Sequence, residues 1–182
     1  MESAFAWLGR IFDAILEFIP RRVIIRDTHR GVKWSLWRGP REMEPGVRIW
    51  WPLISDIELI VVARQTHNMV VQSLMTADGK EIVVGGVVIY KINDVVQAIG
   101  KNNWQPSDTV NDITQAAIVD VVTRWKLADL LEHVSNDVEK ELTLRCRKKL
   151  RQYGIYVVRA ALTDLSTCRQ LNHSGINITV GS

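Results

Sequence analysis

The hydrophobic periodicity of the chain changes near Asn93, and this change most limits the folds it can adopt. Before that residue, short segments rich in Val and Ile alternate with turn residues, which is typical of β-strands. These segments are 23–25, 32–37, 57–63, 69–75 and 82–92. After it, apolar residues recur at three- and four-residue steps, which is typical of helices. The sequence therefore predicts an α+β fold with a β-rich first part and an α/β second part.

The segment 82–92 is apolar on both of its alternating faces, as expected of an interior strand. Its pair Gly85 and Gly86 predicts either a bulge or the close approach of another backbone. The turn sequences Arg-Gly-Pro at 38–40 and Glu-Pro-Gly at 44–46 are expected to separate strands.

In the second part, one helix is expected to open near 106–108 and a second apolar stripe follows it. Asn136 and Glu139 have the spacing of a capping box, which predicts the start of a further helix. Gly154 is expected to end that helix. A last strand is predicted over 155–162.

A helical pattern also covers residues 2–19 and ends at Pro20. At about 100° per residue, the charged side chains of this segment fall in a sector roughly 80° wide. The segment is therefore predicted to be an amphipathic helix with a broad apolar face. Its large apolar side chains are Phe5, Trp7, Leu8, Ile11, Phe12, Ile15, Leu16, Phe18 and Ile19.

Four interpretations of this helix are open. A secretory signal is disfavoured by the acidic start and by the charges inside the apolar stretch. A spanning helix would bury Arg10, Asp13 and Glu17 in hydrocarbon. The helix could instead dock on its own domain or lie in the plane of a membrane interface. Arg21 and Arg22 follow it where lipid phosphates would be met, which favours the interfacial interpretation.

Composition sets further limits. With 182 residues and 47% hydrophobic content, the chain can build one domain with a core or two small subdomains. Its net charge of +3 comes from 23 basic and 20 acidic residues that are interspersed, so nucleic acid is not the expected partner. Cys146 and Cys168 lack a ligand spacing and suit a reducing compartment. No apolar run has the length of a membrane span, so any membrane attachment is expected to be peripheral.

Several short motifs occur in a fixed order between about Arg22 and Leu165. The most specific is Leu-Met-Thr-Ala-Asp-Gly at 74–79, followed by an apolar strand that runs to Tyr-Lys-Ile-Asn-Asp at 90–94. The other pieces are 31–32, 45–49 with Pro52, 61–65, 124–131 and 153–157. In this order and spacing the chain resembles the SPFH superfamily of stomatin, prohibitin and flotillin, whose domain is also called band 7 or the prohibitin homology domain.

The resemblance implies a non-enzymatic, stomatin-like domain on the cytoplasmic face of a membrane, held by an N-terminal hydrophobic segment and assembled into rings or cages. We accordingly divide the chain into a membrane-anchoring helix (1–20), a β-rich subdomain (21–93), an α/β subdomain (94–165) and a tail (166–182). The chain departs from the family pattern in two ways. Its first segment is too short for a full span, so monotopic attachment is expected. It also ends soon after Leu165 without the usual long helix, so cage closure by coiled coil is not expected.

Two surface sites follow from these patterns. Trp50 and Trp51 lie in a loop that the resemblance places near the bilayer, where indoles favour the head-group level. Packing in the core or between subunits is the alternative. A basic cluster near a helix C-terminus could stabilise the helix dipole, contact a neighbouring subunit's acidic surface, or meet anionic lipid or nucleic acid. That cluster consists of Arg145, Arg147, Lys148, Lys149 and Arg151.

No catalytic pattern stands out in the sequence. The four histidines are far apart and no nucleophile or phosphate-loop motif is present. Cys146 lies on an apolar helical stripe, and Cys168 near His173 lacks an orienting third group. No metal site or cofactor is expected.

We therefore expect a membrane-associated scaffold whose partners are membrane lipids and further copies of itself. Two alternatives are a regulatory partner of a membrane protease or channel, and a structural component of a larger phage or viral assembly.

Overall fold

The computed structural model describes residues 18–101 and 105–167. Most of the predicted amphipathic helix, with Phe5, Trp7, Leu8, Ile11, Phe12, Ile15 and Leu16, lies outside the described residues. The tail from 168 onward, with Cys168, also lies outside them.

The chain folds into eight described strands and three α-helices, which confirms the α+β prediction. The strands of the first part are β1 (Arg21–Ile25), β2 (His29–Ser35), β3 (Arg38–Met43), β4 (Gly46–Trp50), β5 (Ser55–Val61), β6 (Gln65–Met75) and β7 (Glu81–Ile92). The second part contains α1 (Pro106–Val122), α2 (Leu127–His133), α3 (Glu139–Leu150) and β8 (Ile155–Thr167). Irregular helical turns cover Val96–Lys101, Val134–Val138 and Arg151–Tyr153.

All strand pairs are antiparallel and form three sheets. β1 pairs with β4 in a two-stranded ribbon, and β2 is the centre of a sheet ordered β3-β2-β5. The third sheet has the order β6-β7-β8, so it joins a hairpin of the first part to the last strand. The predicted division at position 93 falls between β7 and β8 in the sequence, although hydrogen bonds join these two strands in one sheet.

β3 and β4 lie where the sequence predicted turns. Pro40 is tolerated in β3 because this strand lies at a sheet edge and its register with β2 shifts between Lys33 and Ser35. Gly46 begins β4 with a φ of 127°. The Gly and Pro residues of this region therefore lie at strand ends and at a bulge. The short strands β3 and β4 lack a clear apolar alternation, so the sequence pattern did not reveal them.

The main core lies between one face of the third sheet and the helices. Alternate residues of β7 point to this side and are buried, among them Ile82, Val84 and Val88. Helix α1 contributes Val110, Ala117, Ile118 and Val121, and helix α3 contributes Leu142, Cys146 and Leu150. Cys146, which the sequence places on an apolar helical stripe, is thus part of the core.

The glycine pair of β7 forms the predicted bulge and also makes room for a side chain of α1. The register of β7 with β8 shifts between Val84 and Gly86, which is a bulge. A Cβ at Gly86 would lie 2.7 Å from Ile118 Cδ1, so the absence of a side chain lets α1 approach the sheet.

A smaller cluster joins the first part to the second. The helical turn Val96–Lys101 follows β7 and packs on β2, where Val32 is fully buried. Ile92, Val95 and Ala98 complete this buried cluster.

The predicted capping box before α3 is wrong. Asn136 lies inside the helical turn Val134–Val138, and the residue before α3, Val138, is itself helical without a side-chain cap. The chain turns continuously from α2 into α3, so no free helix end exists at Asn136 that its side chain could cap.

The Asp78 side chain connects the β6–β7 turn to the start of α2. Its Oδ1 accepts hydrogen bonds from Thr76 Oγ1 at 2.6 Å and from the Leu127 backbone N–H at 3.1 Å. Lys80 Nζ lies 3.3 Å from its Oδ2. The bond from Thr76, followed by that from Leu127, lowers the Asp78 pKa from 3.8 to about 2.

We predict that Asp78 stabilises the fold only while it is ionised. Because its folded pKa is depressed, this contribution is present above pH 3.8 and is lost as the pH falls towards about 2. Asp78→Asn should lower Tm at pH 7 by a few degrees. Thermal unfolding of both proteins between pH 7 and pH 2 should show the difference shrinking with acidification. A constant difference would contradict the ionic role.

Gly154 directly precedes β8 and contacts the residues that follow β7. Its φ is +71°, and its carbonyl accepts hydrogen bonds from the N–H groups of Asn93 and Asp94 at 2.9 and 3.1 Å. A Cβ here would lie 2.3 Å from the Asp94 carbonyl oxygen. Both the left-handed backbone and the contact therefore require glycine.

We predict that Gly154→Ala lowers the free energy of unfolding by about 2–4 kcal/mol, because it adds a clash to backbone strain. Gly79→Ala is the matched control, since Gly79 has a φ of +75° but open space around it, and should cost about 1 kcal/mol. Urea unfolding of the two variants measures both values. Equal losses would show that the contact with Asp94 is unimportant.

Candidate functional site

Two connections at one end of the first part expose large apolar side chains. The β2–β3 turn carries Leu36 and Trp37, each 75% exposed. The β4–β5 loop carries Trp51 and Leu53, which are 51% and 47% exposed. We call these four residues the apolar tip.

Backbone hydrogen bonds hold the two connections side by side. Ser35 lies opposite Ser55 in the β2–β5 register, and the Leu36 N–H donates to the Ile54 carbonyl at 3.1 Å. The β4–β5 loop is itself closed, because the Trp51 carbonyl accepts from the N–H groups of Ile54 and Ser55 at 3.2 and 3.0 Å. The tip is thus a fixed surface of two braced turns.

The strand register brings the end of the N-terminal segment to the same place. Arg21, the first residue of β1, lies opposite Trp50, the last residue of β4. Phe18 and Ile19, just before β1, are 70% and 50% exposed. Trp50 is half-buried, whereas its neighbour Trp51 in the tip is open to solvent.

One face of the β1–β4 ribbon is also apolar and exposed. The register pairs Ile24 with Val47 and Arg22 with Ile49, so these four side chains share a face. Ile24, Val47 and Ile49 are 64–70% exposed. The other face carries Ile25, which is buried.

Basic side chains border the tip. Lys33, Arg38 and Arg41 line a shallow groove together with Trp37. Arg21 and Arg22 are exposed at the start of β1. This combination of indoles, aliphatic side chains and cations is typical of surfaces that meet a membrane interface.

Leu36 and Trp37 were missed as site residues, because the sequence assigned them to the end of a strand. The signal was available: a large apolar pair stands directly before the turn residues Arg38 and Gly39. A strand end that exposes two such side chains is uncommon in a soluble domain unless they have a partner.

The predicted basic cluster is divided by the structure. Arg145 binds Glu141, whose Oε1 lies 2.7 Å from its Nη2, and also binds Asp120. These carboxylates, Glu141 first, raise the pKa of Arg145. Lys148 and Lys149 are exposed on the same helix.

Arg147 serves a different purpose at the edge of the third sheet. Its guanidinium donates at 2.7 Å to each of the carbonyls of Val157 and Val158 in β8. Thr143 Oγ1 bonds both the N–H and the carbonyl of Ala160 at 3.0 and 3.1 Å. Side chains of α3 thereby satisfy backbone groups that an edge strand would otherwise leave open.

Cys146 is unsuited to nucleophilic chemistry. Its side chain is fully buried, and this burial raises the pKa of its thiol to about 11. Among residues 18–101 and 105–167, no group of His, Cys, Asp and Glu side chains is arranged to hold a metal ion. Within the same residues, no helix combines the length and apolar character needed to cross a bilayer.

Comparison with known proteins accounts for this architecture. The profile described as "SPFH domain / Band 7 family" matches residues 23–177, most of the chain. The chain belongs to the SPFH domain / Band 7 family. The resemblance inferred from the motifs is therefore confirmed, and family membership supports a membrane-associated role of the scaffold type. SPFH proteins generally oligomerise and generally lack enzymatic activity.

One relative of this SPFH chain is an uncharacterised protein of Archaeoglobus fulgidus. The two are 24% identical over 93 residues, which make up 51% of this chain and 37% of that relative. The chain thus spans well under two thirds of the relative's length.

Proposed function

We propose that this SPFH domain is a membrane-surface scaffold that attaches monotopically through its apolar tip and the segment that precedes β1. The observation that carries the proposal is the convergence of exposed Trp37 and Trp51 with the start of β1 at one end of the first part. Trp51 comes from the loop that the sequence associated with the bilayer. Assembled on the cytoplasmic face, such a scaffold would organise lipids or membrane proteins without chemistry of its own.

The size of the tip limits what one subunit can do. If the four large apolar side chains of the tip were buried in a membrane, each would contribute about 1 kcal/mol, and together they would give a gross gain of about 4 kcal/mol. Immobilisation and ordering remove a large share of this gain. A single copy is therefore a weak anchor, and a ring of copies would bind far more tightly because each anchor raises the effective concentration of the next.

We predict that Trp37→Ala combined with Trp51→Ala weakens binding to phosphatidylcholine and phosphatidylserine vesicles roughly tenfold or more, since about 1.4 kcal/mol corresponds to tenfold. Co-sedimentation of the full chain measures this. Val70→Ala with Met75→Ala is the matched control, because these residues are 70% and 61% exposed but belong to β6 and not to the tip or to the helices of the proposed lateral contact. Unchanged binding of the tryptophan variant, or an equal loss in the control, would reject the tip as the membrane contact.

Lateral assembly is the second element of the proposal. Lys148 and Lys149 are free to meet a neighbouring copy because, unlike Arg145 and Arg147, they form none of the ion pairs or carbonyl contacts found in the described residues. Exposed Asp129 and Glu132 on α2 offer the complementary charge. A contact between two different surfaces repeats from copy to copy and can close into a ring.

We predict that Lys148→Glu with Lys149→Glu disrupts oligomers, and that high salt has the same effect on the unmodified chain. Mixing this variant with Asp129→Lys and Glu132→Lys should restore mixed assemblies, because the charges are then exchanged across the contact. Sedimentation velocity and negative-stain microscopy on vesicles measure particle size. Intact rings formed by the lysine variant alone would exclude this contact.

A further inference from the structure

A cleft opens where β7 ends, α3 ends and β8 begins. Its volume is about 540 Å³, and its lining includes Asn93, Asp94, Arg147, Arg151 and Tyr156. This volume lies within the range typical of sites for small molecules, about 300–1,000 Å³. Nothing in the proposed scaffold role uses it.

The lining of the cleft is rigidly built. Gly154 forms part of it, and its carbonyl is fixed by the N–H groups of Asn93 and Asp94. Asp94 Oδ1 in turn accepts from the Gln97 N–H at 3.0 Å. The chain segments around the cleft are therefore held before any ligand arrives, which reduces the ordering cost of binding.

The Arg147 guanidinium is also held in a fixed orientation. Two carbonyls of β8 fix its Nε and Nη2, and its Cζ lies 5.2 Å from the centroid of the Tyr156 ring. Its Nη1 donors take no part in the contacts with Val157 and Val158. A planar guanidinium that is fixed in place and still has N–H groups available can donate hydrogen bonds to an oxyanion.

The charges around the cleft are unbalanced. Arg147 and Arg151 line it, and Lys91 Nζ lies 5.5 Å from the centroid of the Tyr156 ring. Within residues 18–101 and 105–167, Lys91, Arg147 and Arg151 form no ion pair with a carboxylate. Arg145 and Arg159, by contrast, are paired with carboxylates. Among the lining residues, the two guanidinium groups and the Asp94 carboxylate leave an excess of one positive charge, and Lys91 adds a further cation beside Tyr156, outside the lining.

We propose that this cleft binds a phosphomonoester group. A phosphomonoester carries about −1.5 to −2 charge at pH 7, and its oxygens accept from guanidinium groups, so it can engage Arg147 and Arg151 together with Lys91 nearby. A single carboxylate offers less charge and only two oxygens to these donors. The ester belongs either to a small soluble molecule or to a lipid head group, and these share the same recognition chemistry.

Calorimetric titration of the full chain with glycerol 3-phosphate tests the proposal, with glycerol as the uncharged control. Binding of glycerol 3-phosphate alone is expected, together with a rise in Tm. Arg151→Gln should weaken the affinity at least tenfold, because Arg151 is exposed and its loss removes a charge without disturbing the core. Lys126→Gln, an exposed cation before α2, should bind like the unmodified chain.

Vesicles of phosphatidylcholine with and without phosphatidic acid distinguish the two sources of the ester. If phosphatidic acid increases vesicle binding and Arg151→Gln removes the increase, the cleft reaches lipid; if only soluble glycerol 3-phosphate responds to this substitution, the ligand is a free ester. The proposal is overturned if neither probe binds, or if Arg151→Gln and Lys91→Gln both retain full affinity while their Tm values show intact folds. The variant with both tip tryptophans replaced should still bind glycerol 3-phosphate, which separates this site from membrane attachment.

Discussion

The pairing of β7 with β8 is the constraint on which the rest of the structure depends. β7 is the central strand of the third sheet, and β8 reaches it only after the whole helical layer has been traversed. The hydrogen bonds from Asn93 and Asp94 to Gly154 fix where this pairing starts, and Gly86 sets how closely α1 approaches it. Burial of one face of β7 then fixes the register, because a shift by one residue would turn its apolar side chains outward.

The same constraint assigns different roles to chemically similar residues. Four basic residues lie close together on α3, at positions 145, 147, 148 and 149, but the helix turns them in different directions. Arg145 faces Asp120 of α1, whereas Arg147 faces the carbonyls of β8 and borders the cleft. Lys148 and Lys149 remain in solvent. In the roles we propose, neighbouring basic residues therefore divide between internal contacts, a ligand site and a lateral surface.

Much of this fold could be predicted from the sequence, because β7 and the helices have strong, regular apolar patterns. The glycine pair of β7 and the helix end at Gly154 were also predictable, since each has one geometric cause. The strands β3 and β4 could not be predicted from alternation, because edge strands need no buried face and tolerate Pro40. Of the tip, Trp51 was predicted from its loop. Leu36 and Trp37 stand out in the sequence as an apolar pair before a turn, but only the β2–β5 register shows that they lie beside Trp51.

Attachment and assembly are physically coupled in the scaffold we propose. The tip is small, so the free energy that one copy gains at an interface is comparable to the cost of immobilising it. Weak attachment lets a single copy leave the surface, whereas copies held by lateral contacts retain one another. Lateral contacts built from surface charges are individually weak as well. Each weak interaction becomes effective only when the other is present, so such a scaffold would form on membranes in preference to solution and would disassemble when either contact is lost.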